Sequence, residues 1–248
     1  VDEEPDTCSL TMPQARLREL LDNTSFAMAQ QDVRYYLNGM LFEVAADYLR
    51  VVATDGHRLA METLSMENPT GEVQQLILPR KGILELSRLL EEDGDISLTF
   101  GQNHIRAKVA AYTFTSKLVD GKFPDYNRVL PKDGNKVLVG DCQELRQAFS
   151  RASILSNEKY RGVRVMLSNE ELKILANNPE QEEAEEVVSV EYQGDALEIG
   201  FNVSYLIDVL STLTSKKARI TLSDPNSSAL LEAEEGSDAL YVVMPMRL

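Results

Sequence analysis

Two cysteines, two histidines and no apolar run long enough to span a bilayer leave this 248-residue chain few special chemistries. Cys8 and Cys142 cannot staple a fold of this size, and a reduced, cytoplasmic protein is the simple reading. A membrane helix needs about 20 consecutive apolar residues, and no run approaches that. The opening Val1-Asp2-Glu3-Glu4-Pro5-Asp6 is acidic where a signal peptide would be basic. Cations are scarce as well: 25 Lys and Arg stand against 40 Asp and Glu, a net charge of −15. That total argues against a general affinity for nucleic acid, which needs a positive footprint. A net charge says nothing of position, so a local footprint stays open. No nucleophile elbow, glycine-rich phosphate loop or metal-ligand spacing appears, and no cofactor is implied.

What is present is written twice. Gly39-Met40-Leu41-Phe42-Glu43 and the loop Ala53-Thr54-Asp55 recur as Gly162-Val163-Arg164-Val165-Met166 and Ala176-Asn177-Asn178. A helix-like segment precedes each copy; a second helix and a β-patterned tail follow. The length suits two domains, each with its own core. Pro124, Pro131 and Gly134 punctuate the boundary. This divides the chain into a linker at residues 1–8, a first domain at 9–126 and a second at 127–248. Each is expected to be α+β, with two helices on one side and antiparallel sheets on the other.

Local signals place the elements. Thr11 or Met12 is expected to cap a first helix with Pro13 in its first turn and Leu17, Leu20, Leu21 and Met28 on one face. Arg80-Lys81-Gly82 opens a second helix whose apolar residues are Leu84, Leu86, Leu89 and Leu90, with Gly94 closing it. Hairpin strands are expected at residues 96–100 and 104–109. Asp141 and Glu144 form a capping box for a third helix. Later strands are expected at 163–167, 172–176, 186–192, 197–200, 218–223, 229–233 and 239–244, with a fourth helix starting at Asn202. The carboxylate run at residues 180–186 reads as a solvated loop or helix face.

Three constellations carry possible chemistry. Gln31, Arg34, Tyr35 and Tyr36 form a polar-aromatic cluster, in which the tyrosines either fill core or meet a ligand. Asp55 and His57 could pair as an acid and base, although no third catalytic group is signalled; a turn that merely places His57 is the simpler account. Arg16, Arg18, Arg80, Lys81, Arg88, Arg146, Arg151, Lys216 and Lys217 sit on or beside the four helices, either as ordinary solvated faces or as a phosphate-binding surface.

Ordered motifs then resemble a known family. They are Gln31-Asp32-Val33-Arg34-Tyr35-Tyr36-Leu37-Asn38-Gly39, Ala53-Thr54-Asp55-Gly56-His57-Arg58-Leu59-Ala60, Pro79-Arg80-Lys81-Gly82 and Phe114-Thr115-Ser116-Lys117-Leu118-Val119-Asp120-Gly121. Phe123-Pro124-Asp125-Tyr126, Ile154-Leu155-Ser156-Asn157-Glu158-Lys159, Asn177-Asn178-Pro179-Glu180-Gln181-Glu182-Glu183 and the ending Val243-Met244-Pro245-Met246-Arg247-Leu248 follow. Together they resemble the bacterial sliding clamp, the beta subunit of DNA polymerase III, from about Leu10 to Leu248.

That resemblance implies three like domains per subunit, two subunits closed head to tail around duplex DNA, and no enzymatic activity. This chain resembles the second and third domains, and the first has no counterpart. The resemblance assigns DNA contact to Gln31, Tyr35, Tyr36, Arg80 and Lys81. It implies a hydrophobic pocket between the two domains for linear peptides of polymerase subunits, clamp loader and repair proteins. One wall is Thr54, Gly56, His57, Arg58 and Leu59. The other is Val242, Val243, Met244, Pro245, Met246, Arg247 and Leu248, where flexible methionines suit varied partners. Leu37, Pro124, Arg128 and Val129 carry over to the same pocket, as do Asn202, Tyr205 and Ser228. Tyr160 stands where a Phe is familiar and Asn226 where an apolar residue is. Ile154, Leu155, Glu180, Glu182, Glu183 and Glu186 are implied to meet a neighbouring subunit's first domain. The full-length protein is then a homodimer and this chain alone a monomer. The alternatives are a protein-interaction module without a DNA role and a small hydrolytic enzyme using Asp55 and His57.

Overall fold

A computed structural model describes residues 8–248. The chain divides into two compact units, Val1–Tyr126 and Asn127–Leu248. Most of the linker expected at residues 1–8 lies outside the described residues. Cys8 belongs instead to the first strand, where its side chain is buried.

The first unit runs β1 (Cys8–Pro13), α1 (Gln14–Thr24), β2 (Gly39–Val44), β3 (Tyr48–Thr54), β4 (Arg58–Ser65), β5 (Gln74–Pro79), α2 (Arg80–Leu89), β6 (Asp95–Phe100), β7 (His104–Val109) and β8 (Tyr112–Lys117). Strands β1, β6, β7 and β8 are hydrogen-bonded in that order, as are β5, β2, β3 and β4. All pairings are antiparallel, with Cys8 opposite Phe100 and Gly39 opposite Pro79. Strand β7 alternates buried Ile105, Ala107 and Val109 with exposed His104, Arg106 and Lys108, the pattern of a sheet with one dry face. Helix α1 buries Leu17, Leu20 and Leu21.

Several local expectations give way here. No side chain caps α1: Pro13 itself is the N-cap residue, and Gln14 is tied down from elsewhere. The Gln14 amide donates to the Gly94 carbonyl at 3.0 Å, while its buried side chain donates to Asp93 O and accepts from Glu91 N, both at 2.9 Å. Gly94 therefore anchors the start of α1 rather than closing α2, which ends at Leu89. Helix α1 stops at Thr24, so Met28 is buried from beyond it. In α2 Leu86 is buried as expected, but its partner on the inward face is Ile83, and Leu84 is 42% exposed.

The second unit runs β9 (Lys136–Asp141), α3 (Cys142–Ser153), β10 (Gly162–Ser168), β11 (Glu171–Asn177), β12 (Glu183–Ser189), β13 (Leu197–Asn202), α4 (Val203–Thr212), β14 (Lys217–Leu222), β15 (Ala229–Ala233) and β16 (Leu240–Val243). Strands β12, β11, β10 and β13 pair in that order, and β9, β14, β15 and β16 in theirs. Half of the expected capping box forms: Asp141 accepts the Glu144 amide at 2.9 Å. Asn202 caps α4 through the Ser204 amide, also at 2.9 Å. Strand β9 has no counterpart among the strands expected from the sequence. The acidic run is neither a plain loop nor a helix face: it enters β12, which starts three residues earlier than expected. Glu183 and Glu185 point out, while Glu186 turns inward to receive Arg151 at 2.8 Å.

Candidate functional site

Residues 54–59 link β3 to β4 in a turn wired by its own side chains. Thr54 Oγ1 donates to the Arg58 carbonyl at 2.6 Å and accepts from the Gly56 amide at 3.2 Å. Asp55 Oδ1 accepts the amides of His57 and Arg58 at 2.9 and 3.1 Å, and its Oδ2 meets Arg58 Nε at 3.2 Å. Gly56 has φ +91°, which a side chain would strain. Arg58 reaches back to the Phe26 carbonyl at 3.1 Å and lies over the Phe26 ring. The turn exposes the His57 side chain and buries Leu59. The Asp55 carboxylate is thus spent on backbone amides and Arg58, which is what a turn needs and an acid–base pair does not.

The polar-aromatic cluster leans on this turn. Gln31 turns the chain at φ 55°. Asp32 grips Arg34 through both oxygens, at 3.0 and 2.9 Å, and the hydrogen bonds from Arg34 hold its carboxyl down to about 2. Asn38 clamps the Asp32 backbone from both sides at 2.9 Å. The Arg34 guanidinium lies against Gly56, so that a β-carbon there would come within 3.0 Å of it. Tyr35, 56% exposed, and Tyr36 pack edge to face at 5.8 Å. Leu37 is core. Beyond β8, Pro124 and Arg128 are exposed and Val129 half-buried.

At the other end of the chain, β16 buries Val242 and Val243 completely. Met244, Pro245 and Met246 are half-buried, Arg247 is exposed and Leu248 is 58% exposed. This tail crosses the ends of β10 and β13, where the Met246 amide donates to the Gly200 carbonyl at 2.9 Å. Depressions of about 620 and 510 Å³ flank it, both walled by Arg164 and Leu248. Asn202, Tyr205 and Ser228 are half-buried in the same unit, and Asn226 at the rim of the smaller depression is exposed.

Two family models cover nearly the whole chain. Residues 11–125 match the central domain of the DNA polymerase III beta subunit, and residues 127–247 match its C-terminal domain. The chain belongs to the DNA polymerase III beta subunit family. The beta sliding clamp of Pseudomonas aeruginosa is 63% identical over all of this chain and 68% of that protein. A crystal structure of the DNA polymerase sliding clamp from the same organism with ligand superimposes at TM-score 0.98, again at 63% identity, over 100% of this chain and 68% of that one. A second, bound to griselimycin, matches at TM-score 0.97 with the same identity and coverage. Two tandem clamp domains are therefore the architecture of this chain.

The residues that the family resemblance assigns elsewhere fall into two groups. Arg80 and Lys81 open α2, and neither has an ion-pair partner among the described residues. Four other cations on or beside the helices are paired: Arg16 with Glu19, Arg18 with Asp22, Arg151 with Glu186 and Lys217 with Glu191, whereas Arg88, Arg146 and Lys216, like Arg80 and Lys81, have no ion-pair partner among the described residues. On the second unit, Ile154 is 78% exposed after α3, with Leu155 half-buried beside it. Glu180, Glu182 and Glu183 are exposed and Glu186 is half-buried.

Two features are not foreseen from the sequence. One is the seat of the tail, signalled only by glycines inside strand patterns. The other is a buried knot around Glu43, 4% exposed, which accepts from Tyr126 and Gln75 at 2.6 Å and from Tyr48 at 2.8 Å, with Arg50 at 3.5 Å. Arg50 also donates to the Tyr126 hydroxyl at 2.6 Å and lies over the Tyr48 ring. Among the described residues, no group of three or more His, Cys, Asp or Glu is placed to hold a metal, and no helix is long and apolar enough to cross a membrane.

Proposed function

We propose that this chain acts as part of a sliding clamp that encircles duplex DNA when the subunit is complete and tethers polymerases, clamp loader and repair proteins by short linear peptides. It works by topology and docking, in the cytoplasm, without catalysis. The observation that carries the reading is the tail of residues 244–248. Val243 is fully buried, whereas Met244 and Met246 beside it are half-buried and Leu248 is exposed, apolar side chains held at the surface where a partner can use them. His57, Arg58 and Leu59 on their rigid turn are the first unit's contribution to peptide capture, with Pro124, Arg128 and Val129.

DNA contact is assigned to Gln31, Tyr35, Tyr36, Arg80 and Lys81. Arg16, Arg18 and Arg151 are already neutralised locally, whereas Arg80 and Lys81 are available to phosphate. Such contact ignores base sequence, as sliding requires. Ile154, Leu155 and the acidic residues around β12 are the surface for a neighbouring subunit. On this reading the complete protein is a homodimer, and the 248-residue chain alone should sediment as a monomer.

Deleting residues 244–248 tests the reading. An apolar anchor buried by the tail is worth roughly 1.5–3 kcal/mol. Fluorescence polarisation with a labelled peptide of the glutamine and leucine–phenylalanine type should show affinity falling by about 10- to 100-fold, while both units melt as before. Unchanged affinity in the folded truncation would place the peptide site elsewhere. Binding of peptide without any salt-sensitive binding of duplex would favour an interaction module with no DNA role.

A further inference from the structure

Gly162 and Gly200 lie on neighbouring strands, one at the start of β10 and the other near the end of β13, each two residues from the other's partner in the register. Gly162 pairs with Asn202 and Gly200 with Arg164. Glycine inside a strand weakens it, so its presence marks a close approach or an unusual backbone angle. Neither residue has a positive φ, so backbone angle does not explain them. Space does. A β-carbon on Gly200 would stand 2.5 Å from the Met246 carbonyl oxygen and 2.9 Å from the Leu248 side chain. One on Gly162 would stand 2.6 Å from Leu248 Cδ2 and 3.4 Å from Met246 Sδ.

We propose that Gly162 and Gly200 form a seat that holds the C-terminal tail in its peptide-binding position, and that Gly200 is a positioning residue for partner capture. The inference rests on the reading of the tail as a pocket wall. The two glycines differ in kind. The obstacle at Gly200 is the backbone oxygen of Met246, the residue whose amide bonds the tail to the sheet at 2.9 Å. Backbone cannot step aside by changing rotamer, so any side chain at 200 lifts the tail off β13. The obstacle at Gly162 is the tip of a leucine that is 58% exposed and free to turn. A methyl at 162 therefore moves Leu248 and leaves Met246 in place. Because alanine suits a strand at ordinary φ better than glycine does, neither substitution weakens the domain itself.

The test compares Gly200→Ala and Gly162→Ala, with Gly71→Ala as a control, since an added β-carbon at 71 meets nothing within 4 Å. Exchange of the Met246 amide by NMR reports the tail, polarisation of the labelled peptide reports capture, and melting reports folding. Gly200→Ala should lose the Met246 protection and at least tenfold in peptide affinity, with no fall in melting temperature. Gly162→Ala should lose less than threefold and keep the Met246 protection, because only the Leu248 tip moves. Undiminished Met246 protection in folded Gly200→Ala overturns the seat. Were Gly200→Ala to misfold, Gly162→Ala decides: loss of the Met246 protection there, or an affinity loss of tenfold or more, overturns it equally. Should the tail lift in Gly200→Ala while the 244–248 deletion leaves affinity intact, the seat stands and the pocket reading fails.

Discussion

The two units share one architecture but are stabilised differently. In the second, local chemistry agrees with the fold at each turn: α3 starts on the Asp141 cap with Glu144 in its first turn, and α4 starts on the Asn202 cap. In the first, neither helix has a side-chain cap, and α2 opens with two cations at the end of its dipole that disfavours them. The first unit also buries Glu43 and Glu62, whereas the buried polar residues of the second are Ser153 and Ser156. Places where local rules are broken without local gain are where function or long-range packing decides. By that measure the first unit depends more on long-range contacts and the second more on local ones.

The sharpest way to break this comparison is Glu43→Ala. It strips one carboxylate from four donors and leaves Arg50 and two tyrosine hydroxyls short of a buried partner. Removing one side of a buried ionic network costs about 3–5 kcal/mol. Calorimetry should then show two transitions, the earlier one belonging to the first unit by hydrogen exchange. A single transition at the original temperature would mean the knot adds nothing and the units are equally secured.

Asp55→Ala comes next. It removes the acceptor for two backbone amides and the partner of Arg58, a loss of about 2 kcal/mol from the first unit. Peptide affinity should fall with it, because the turn that presents residues 57–59 loosens. His57→Ala, which leaves the wiring of the turn intact, should change stability by less than about 0.5 kcal/mol. If Asp55→Ala is as mild as His57→Ala, the contrast between a turn wired by side chains and a tail seated by backbone is lost.

What can be read from the sequence depends on how far apart the partners lie along the chain. The capping box at Asp141, the hairpin around Gly101 and the Thr54–Gly56 turn are legible because their partners lie within a few residues. The Glu43 knot is not: its donors come from as far as 83 positions away in Tyr126. Helix α2 offers apolar residues at 83, 84, 86, 89 and 90, more than one face can bury, so the choice of Ile83 over Leu84 is tertiary. Strand β12 hides behind its carboxylates because the inward Glu186 is answered by Arg151 from α3. At the site, the turn and tail can be named from residue order, but glycines 162 and 200 cannot be linked to the tail without knowing what crosses them.

Acid should separate the units more gently. Burial pushes the Glu43 carboxyl up, but hydrogen bonds from Tyr126, Gln75 and Tyr48 and the charge of Arg50 outweigh it, leaving the group below the usual range. A carboxyl lowered in the folded state stabilises fully above its unfolded value of about 4.3, and this contribution drains as pH falls from there through the folded value. Asp32, at about 2, adds to the same drift in the first unit, while the lowered carboxyl of the second unit is the exposed Asp224. Between about pH 5 and pH 3, exchange should rise in the first unit ahead of the second. Glu43→Gln should narrow that gap, and an unchanged gap would assign the acid response to other groups.

The smallest effect is the most telling about function. Arg80 and Lys81 stand at the positive end of α2 without an ion-pair partner among the described residues, so folding alone gains nothing from their charge. Replacing both by glutamine should stabilise the first unit by about 0.3–1 kcal/mol per charge removed. The same double variant should weaken binding of linear duplex and lower the slope of log affinity against log salt by about 1 for each phosphate no longer neutralised. Doing both at once is the signature of charges kept for a ligand at the expense of the fold. A variant that gains stability but binds duplex with an unaltered salt slope would show that the cations at this helix start do not touch DNA, and the difference between the units would then need a cause other than DNA contact.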